Sequence, residues 1–171
     1  MGLLDKLLGR SALPASTTCP PVTATPGPRG AHAAWDLVRA HAQALDPKWR
    51  LVGITSGTDL RPDGRSATWE FVFDLPGREA MLLATLAPPA DADPDTAAPG
   101  LTLRVRTGRA SGAPLPVPFR DSPEVVAGFA AEGVDFVAGP TDMKLEARVL
   151  ASGPAWITFD WNGERHAAFA A

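Results

Sequence analysis

Apolar residues recur at helical spacing in two stretches of the chain. In the first stretch, residues 31–45, they lie three or four positions apart: Trp35, Val38, Ala42 and Leu45. This spacing is typical of a helix that buries one face. Asp46 and Pro47 follow, and the residue before a proline disfavours helical backbone. The pattern therefore predicts a helix that ends at Leu45.

The second stretch, residues 123–132, carries start and stop signals for a helix. Asp121 or Ser122 can cap its first backbone N–H groups, and Pro123 suits the first helical position. Gly133 favours the left-handed conformation in which many helices end. The residues expected to be buried are Val125, Val126, Phe129 and Ala130.

Each predicted helix is followed by runs in which apolar and polar residues alternate, the pattern of a half-buried strand. The runs after the first helix are residues 49–55, 67–74, 81–86 and 101–106. The runs after the second helix are residues 134–138, 143–150, 155–161 and 165–170. Asn162-Gly163 separates the last two runs and predicts a hairpin, because both central residues of the favoured tight turn need positive φ.

The alternation also assigns residues to faces of the sheet. The residues predicted to face the core are Trp69, Phe71, Phe73, Leu101, Leu103 and Val105. Those predicted to face outward on the last strand of this set are Thr102, Arg104 and Arg106. In residues 49–55, regular alternation places Leu51, Gly53 and Thr55 opposite to Arg50, Val52 and Ile54.

The sequence thus predicts the same order of elements twice, one helix followed by four strands. The sequence predicts an α+β fold of two helix-plus-four-stranded antiparallel modules in tandem, residues 31–109 and 120–171, joined by a proline-rich bridge at 110–119. One continuous sheet across both modules is the alternative. Open edges favour pairing of the modules or dimerisation, because edge strands expose backbone hydrogen-bonding groups. The acidic, proline-rich residues 87–100 are expected to form an exposed, mobile loop.

The N-terminus has a different character. Residues 1–10 predict a short amphipathic helix with four leucines on one face: Leu3, Leu4, Leu7 and Leu8. Residues 11–30 are rich in proline and predict a linker. We expect the leucines to dock on a partner protein. Folding back or fraying is the alternative, since so short a helix is marginal alone in water, and a membrane surface is the weaker target.

Composition narrows the classes of protein. The 171 residues allow one ordinary domain or two small ones, and the net charge of −3 argues against a nucleic-acid partner. Cys19 is the single cysteine, which rules out an internal disulfide. The sequence has neither an apolar run of about 20 residues, the length that spans a membrane, nor a signal-peptide pattern. We therefore expect a cytoplasmic protein, and the abundance of Ala, Pro and Arg indicates a bacterial one.

One segment matches part of a calcium-binding loop. Asp59, Asp63, Gly64 and Glu70 fall at positions of the EF-hand pattern. Arg61, however, occupies a ligand position, and Glu70 lies within an aromatic strand. A hairpin turn explains this segment without a metal, so no metal site is predicted.

Other candidate chemistry is equally sparse. His32 and His41 are nine positions apart, which is not the spacing of a neighbouring ligand pair on a helix, and His166 lies on the last strand. The sequence lacks the nucleophile-elbow, phosphate-loop and dinucleotide-binding motifs. Five arginines could form a basic patch but are interpreted as the solvated face of a sheet: Arg61, Arg65, Arg104, Arg106 and Arg109. No cofactor and no catalytic residue is predicted.

The first module resembles the cystatin-like fold and, within it, the PepSY-type modules of bacteria. The resemblance is carried by residues 31–45, Trp69–Asp74 and Leu103–Gly108, a closing strand that ends in Thr-Gly. Arg106 departs from the acidic residue of that pattern, and the second module lacks the Thr-Gly ending. The resemblance implies a helix packed on a twisted antiparallel sheet. The alternation of helix and sheet is also similar to type III secretion chaperones, which bind client segments and dimerise.

These features predict a non-catalytic, chaperone-like interaction module that docks through a sheet edge and its N-terminal helix. The expected partner is another protein or a second copy of the chain. The alternative is a small-molecule-binding protein, or an enzyme, with its site on the concave face of a curved sheet.

Overall fold

The helix predicted over residues 31–45 forms at those residues, Ala31–Leu45 (α1). The computed structural model describes residues 16–19, 22–110, 112–136, 145–159 and 163–171. The second helix, α2, is Ser122–Ala131, one residue earlier at each end than predicted, with Asp121 as its cap. Its buried positions repeat at the spacing of one helical face: Ser122, Val125, Val126 and Phe129. Ala130 lies outside that face and is exposed, so its predicted burial was wrong.

The strands form one antiparallel sheet of seven longer strands and a three-residue edge strand. In chain order they are β1 Ser16–Thr18, β2 Arg50–Ser56, β3 Trp69–Asp74, β4 Ala80–Ala87, β5 Gly100–Thr107, β6 Glu146–Leu150, β7 Gly153–Phe159 and β8 Arg165–Phe169. The order across the sheet is β1-β5-β4-β3-β2-β6-β7-β8. The α+β class with an antiparallel sheet is therefore confirmed.

The two predicted modules meet within this sheet, because β2 of the first pairs with β6 of the second. The continuous sheet, which the sequence left as an alternative, is the observed one. Residues 134–136 of the predicted run 134–138 are not in a strand, and residues 137–144 lie outside the described residues. Within the predicted linker, Ser16–Thr18 pairs with β5 and Arg29 bridges to Ser66.

A single hydrophobic core lies between the helices and one face of the sheet. The predicted inward residues of β3 are fully buried, as are Leu101 and Leu103 of β5. Phe119 links the two halves: its ring makes edge contacts with Trp35 of α1 and with Trp156 of β7. Because both helices lie on this side, the opposite side of the sheet is called the open face.

A β-bulge interrupts β2. Its register against β3 shifts between Leu51 and Gly53, which leaves Val52 as an extra residue. Leu51 and Ile54 consequently both enter the core, although regular alternation predicted opposite faces for them. Gly53 is left on the open face, between Val72 of β3 and Arg148 of β6.

The loop over residues 88–99 is mostly exposed, as predicted, and several bonds hold it. Asp95 forms an ion pair with Arg61 of the β2–β3 loop. The backbone N–H of Gly27 donates to Ala97 O at 3.3 Å. Asp93 accepts from the N–H of Asp95 at 2.9 Å. These bonds tie three separate segments together at one end of the sheet.

Candidate functional site

The residues predicted to contact a partner, Leu3, Leu4, Leu7 and Leu8, lie outside the described residues. The other predicted element of recognition, a sheet edge, is described. β8 is the last strand in the sheet order, and among the described strands it pairs with β7 alone.

The backbone of β8 presents hydrogen-bonding groups along this edge. Ala170 N donates to Pro154 O at 3.0 Å, toward β7. The N–H and C=O groups of alternate residues in an antiparallel strand point to the same side. The groups of Arg165, Ala167 and Phe169 are therefore directed away from β7.

The side chains of these same residues lie on the open face, where two phenylalanines are exposed. Phe169 is 71% exposed and Phe159, on β7, is 48% exposed. Ile157 lies between them, opposite Ala167, and is buried. Arg165 stands opposite Phe159 at one end. We call this set the edge patch: Ile157, Phe159, Arg165, Ala167 and Phe169.

A second feature is a depression of about 310 Å³ on the open face, which shares no residue with the edge patch. Its lining comes mainly from β2 and β6, and Gly53 of β2, which has no side chain, lies on the open face because of the bulge. Its charged lining residues are Arg109, Glu146 and Arg148. We call it the open-face pocket.

The residues weighed for metal binding have structural partners. Asp59 Oδ1 accepts from Ser66 Oγ at 2.7 Å, and Oδ2 accepts from Ala67 N at 2.8 Å. The carboxylate therefore organises the β2–β3 loop. The described residues contain no group of three or more side chains placed to hold a metal ion.

The histidines are spread over the fold. The ring of His32 hydrogen-bonds to the carbonyl of Phe119, and the ring of His166 contacts Phe129 of α2 edge-on. His41 lies on α1, nine positions from His32. The rings of His32 and His166 therefore have packing roles.

Burial shifts the pKa values of Cys19 and Arg29. Burial raises the pKa of the Cys19 thiol above its usual value. It lowers the pKa of the Arg29 guanidinium, which donates to the carbonyls of Thr25 and Gly27. Trp69 Nε1 in turn donates to Arg29 O at 2.9 Å. Arg29 therefore anchors the segment before α1 against β3, which is a structural role.

Comparisons with protein families, with curated proteins and with solved structures find no match for this chain. In the described part of the chain, neither helix is long and apolar enough to cross a membrane. The interpretation of function therefore depends on the geometry of the two surface features.

Sequence reasoning named a sheet edge but did not name its residues. The available signal was the Asn162-Gly163 hairpin, which makes the final run the outer strand of a hairpin. Alternation along β7 assigns Phe159 to the face opposite Trp156. A two-residue turn at Asn162-Gly163 would pair Trp156 with Phe169, whereas Trp156 pairs with Ala168, so the face of Phe169 required the structure. The open-face pocket had no such signal, because it depends on the bulge at Val52.

Proposed function

We propose that this protein is a non-catalytic interaction module that binds an extended segment of another protein along the outer edge of β8. The observation that carries the proposal is the position of Phe169, 71% exposed on a strand that has a neighbour on one side only among the described strands. An incoming strand would bond to the outward backbone groups and cover this ring. Burying a phenylalanine contributes about 1.5–3 kcal/mol to binding before the costs of association.

The edge patch also specifies the incoming sequence. An antiparallel segment would meet Phe169 first, then Ala167, then Arg165, with every second side chain on the open face. A large apolar residue suits the position beside Phe169, and another fills the space above the small Ala167. An acidic residue suits the position beside Arg165. The favoured segment therefore reads apolar-x-apolar-x-acidic.

The predicted N-terminal helix supplies a separate contact in this proposal. Residues 1–15 precede β1, which lies at the opposite end of the sheet order from β8. Seven interstrand spacings separate the two strands, roughly 34 Å at about 4.8 Å each. A cytoplasmic adaptor with contacts at both ends of one sheet could bridge two sites on a partner.

We also interpret the fold as two cystatin-like, helix-covered halves. The support is that α1 packs on β3 and β4, whereas α2 packs near β8. Each helix thus packs on strands that follow it in the sequence. The chaperone-like interpretation is supported by the exposed apolar edge alone.

The test is a display selection of random nine-residue peptides on the full chain, followed by affinity measurements on the enriched peptides. The expected peptides carry the apolar-x-apolar-x-acidic pattern. Ala167→Pro removes an N–H that points away from β7, so it should abolish binding and leave the β7–β8 ladder intact. Ala167→Thr keeps the N–H and is the matched control.

Phe169→Ala should weaken the selected peptides by about 30-fold, since a central aromatic anchor contributes about 2 kcal/mol or more. Peptides that bind the Ala167→Pro variant as well as the natural chain would show that recognition does not use this edge. Failure to enrich any peptide would also overturn the proposal.

A further inference from the structure

We infer that the open-face pocket is a binding site for a small carboxylate with an apolar body, such as a short acyl or aromatic acid. The pocket lies on β2, β3, β4 and β6. Glu146 on its rim pairs with Ile157 of the edge patch, but the two features share no residue and β8 does not contribute to the pocket. This inference is therefore independent of strand binding at β8.

The floor of the pocket combines strand backbone, which is polar, with the apolar side chains of Val72 and Met81. The bulge at Val52 turns Gly53 to the open face, directly opposite Val72. A Cβ atom built on Gly53 would lie 3.6 Å from Val72 Cβ, which is ordinary contact distance. The natural glycine leaves that volume empty. Met81 of β4 extends the apolar floor, since it also lines the pocket.

The rim of the pocket carries more positive than negative charge. Arg148 lies opposite Gly53 on β6, and Arg109 follows the end of β5. Arg148 reaches Glu146 only at 4.0 Å, and its side chain is 52% exposed. A pair this long and this exposed is weak. The guanidinium is consequently available to a second anion, and guanidinium groups bind carboxylates through two parallel hydrogen bonds.

Shape and size restrict the ligand further. A volume of about 310 Å³ lies at the low end of small-molecule sites. Glu70 and Asp74 share the open face on β3 but are not among the residues that line the pocket. The apolar body would rest on Gly53, Val72 and Met81, and the carboxylate would lie between the two arginines.

The test is calorimetric titration of the full chain with octanoate and, as the uncharged counterpart, octanamide. Octanoate should bind, and octanamide should bind at least about 10-fold more weakly, the equivalent of one charge-assisted interaction. Arg109→Gln and Arg148→Gln should each reduce octanoate affinity. Arg104→Gln changes an exposed arginine on the same face that does not line the pocket, so it should leave affinity unchanged.

Gly53→Val should fill the floor and abolish binding, and its β-branched side chain suits a strand. Gly53→Ala is the milder variant, since its Cβ makes only ordinary contacts and the backbone of Gly53 is not left-handed. Circular dichroism checks that each variant is folded. The inference would be overturned if octanoate did not bind the natural chain, or if Gly53→Val bound octanoate as tightly as Gly53→Ala. It would also be overturned if Arg104→Gln lost as much affinity as Arg109→Gln and Arg148→Gln. Ala167→Pro should leave octanoate binding intact, which separates this site from β8.

Discussion

The backbone N–H of His32 donates to Asp121 Oδ1 at 2.9 Å, and the same oxygen accepts from the N–H of Ser122 at 2.9 Å. One carboxylate therefore caps the first turn of α1 and of α2. Ser122 adds a second bond, in which Ala31 N donates to its Oγ at 3.0 Å. Gly30, the residue before α1, provides no side-chain cap. A Cβ there would lie 2.8 Å from Asp121 Oδ1, so the glycine admits the carboxylate.

Removing this shared cap should destabilise the whole fold. We expect Asp121→Ala to lower the free energy of unfolding by about 2 kcal/mol, because one cap contributes about 1 kcal/mol and two helices lose theirs. Asp121→Asn, which keeps an acceptor oxygen, should cost less. Urea denaturation followed by circular dichroism measures both. A loss below about 0.5 kcal/mol in Asp121→Ala, the range of ordinary surface changes, would contradict the shared role.

Two glycines with nearly the same φ angle allow the cost of a left-handed backbone to be distinguished from the cost of a steric clash. Gly64 has φ +77° and Gly77 has φ +78°. A Cβ on Gly64 would lie 2.6 Å from Pro123 Cα, whereas one on Gly77 would meet no atom within 4 Å. Gly77→Ala should cost about 1–2 kcal/mol from the left-handed backbone alone. Gly64→Ala should cost at least about 1 kcal/mol more, the lower end for overpacking, because the backbone of α2 must move. Thermal and urea unfolding measure the stability of both variants. Equal losses of stability in Gly64→Ala and Gly77→Ala would show that the contact between residue 64 and Pro123 is loose.

The indole groups of two tryptophans should respond differently to replacement. Trp156 is fully buried, and its Nε1 donates to Arg120 O at 3.0 Å. Trp49 is 6% exposed, and its Nε1 has no hydrogen-bond partner among the described residues. Trp156→Phe removes the indole donor from the part-buried carbonyl of Arg120 and should cost about 0.5–1.5 kcal/mol more than Trp49→Phe. The two variants are compared by their denaturant midpoints, with the dependence of the free energy of unfolding on denaturant concentration unchanged. A larger loss for Trp49→Phe would refute this ordering.

The thiol of Cys19 should react slowly in the folded chain. Burial raises its pKa, so less of it is the reactive thiolate at pH 8 than in an unfolded chain. Its backbone N–H also pairs with Leu101 O at 3.2 Å beside β1. Iodoacetamide labelling followed by mass spectrometry should be several-fold slower without urea than in denaturing urea.

The raised pKa of Cys19 also sets the direction in which its contribution to the free energy of unfolding changes with pH. The folded state keeps the thiol proton to higher pH, so this contribution is present below about pH 9 and falls as pH rises past it. In the iodoacetamide experiment, equal rates of labelling with and without urea would show that the folded structure does not protect the thiol.

Local periodicity alone determined the helix at residues 31–45 and the faces of β3 and β5. Alternate residues of a strand must point to opposite sides, so Trp69, Phe71 and Phe73 could be assigned to the core without a structure. The general idea of an exposed sheet edge came from the same reasoning. Its residues required the order of strands across the sheet.

Pairing between residues distant in the chain decided the rest. Alternation within residues 49–55 could not show the bulge, because a bulge exists only relative to the register of the neighbouring strand. The place of Ser16–Thr18 beside β5 likewise depends on a partner about 85 residues away. The cap shared by α1 and α2 spans a comparable distance, from His32 to Asp121. The sequence determined both helices and most of the strands, because those preferences are local, but not β1 or the absence of a strand at residues 134–136. Tertiary structure alone decided which edge and which pocket remain exposed, since exposure depends on what every other segment covers.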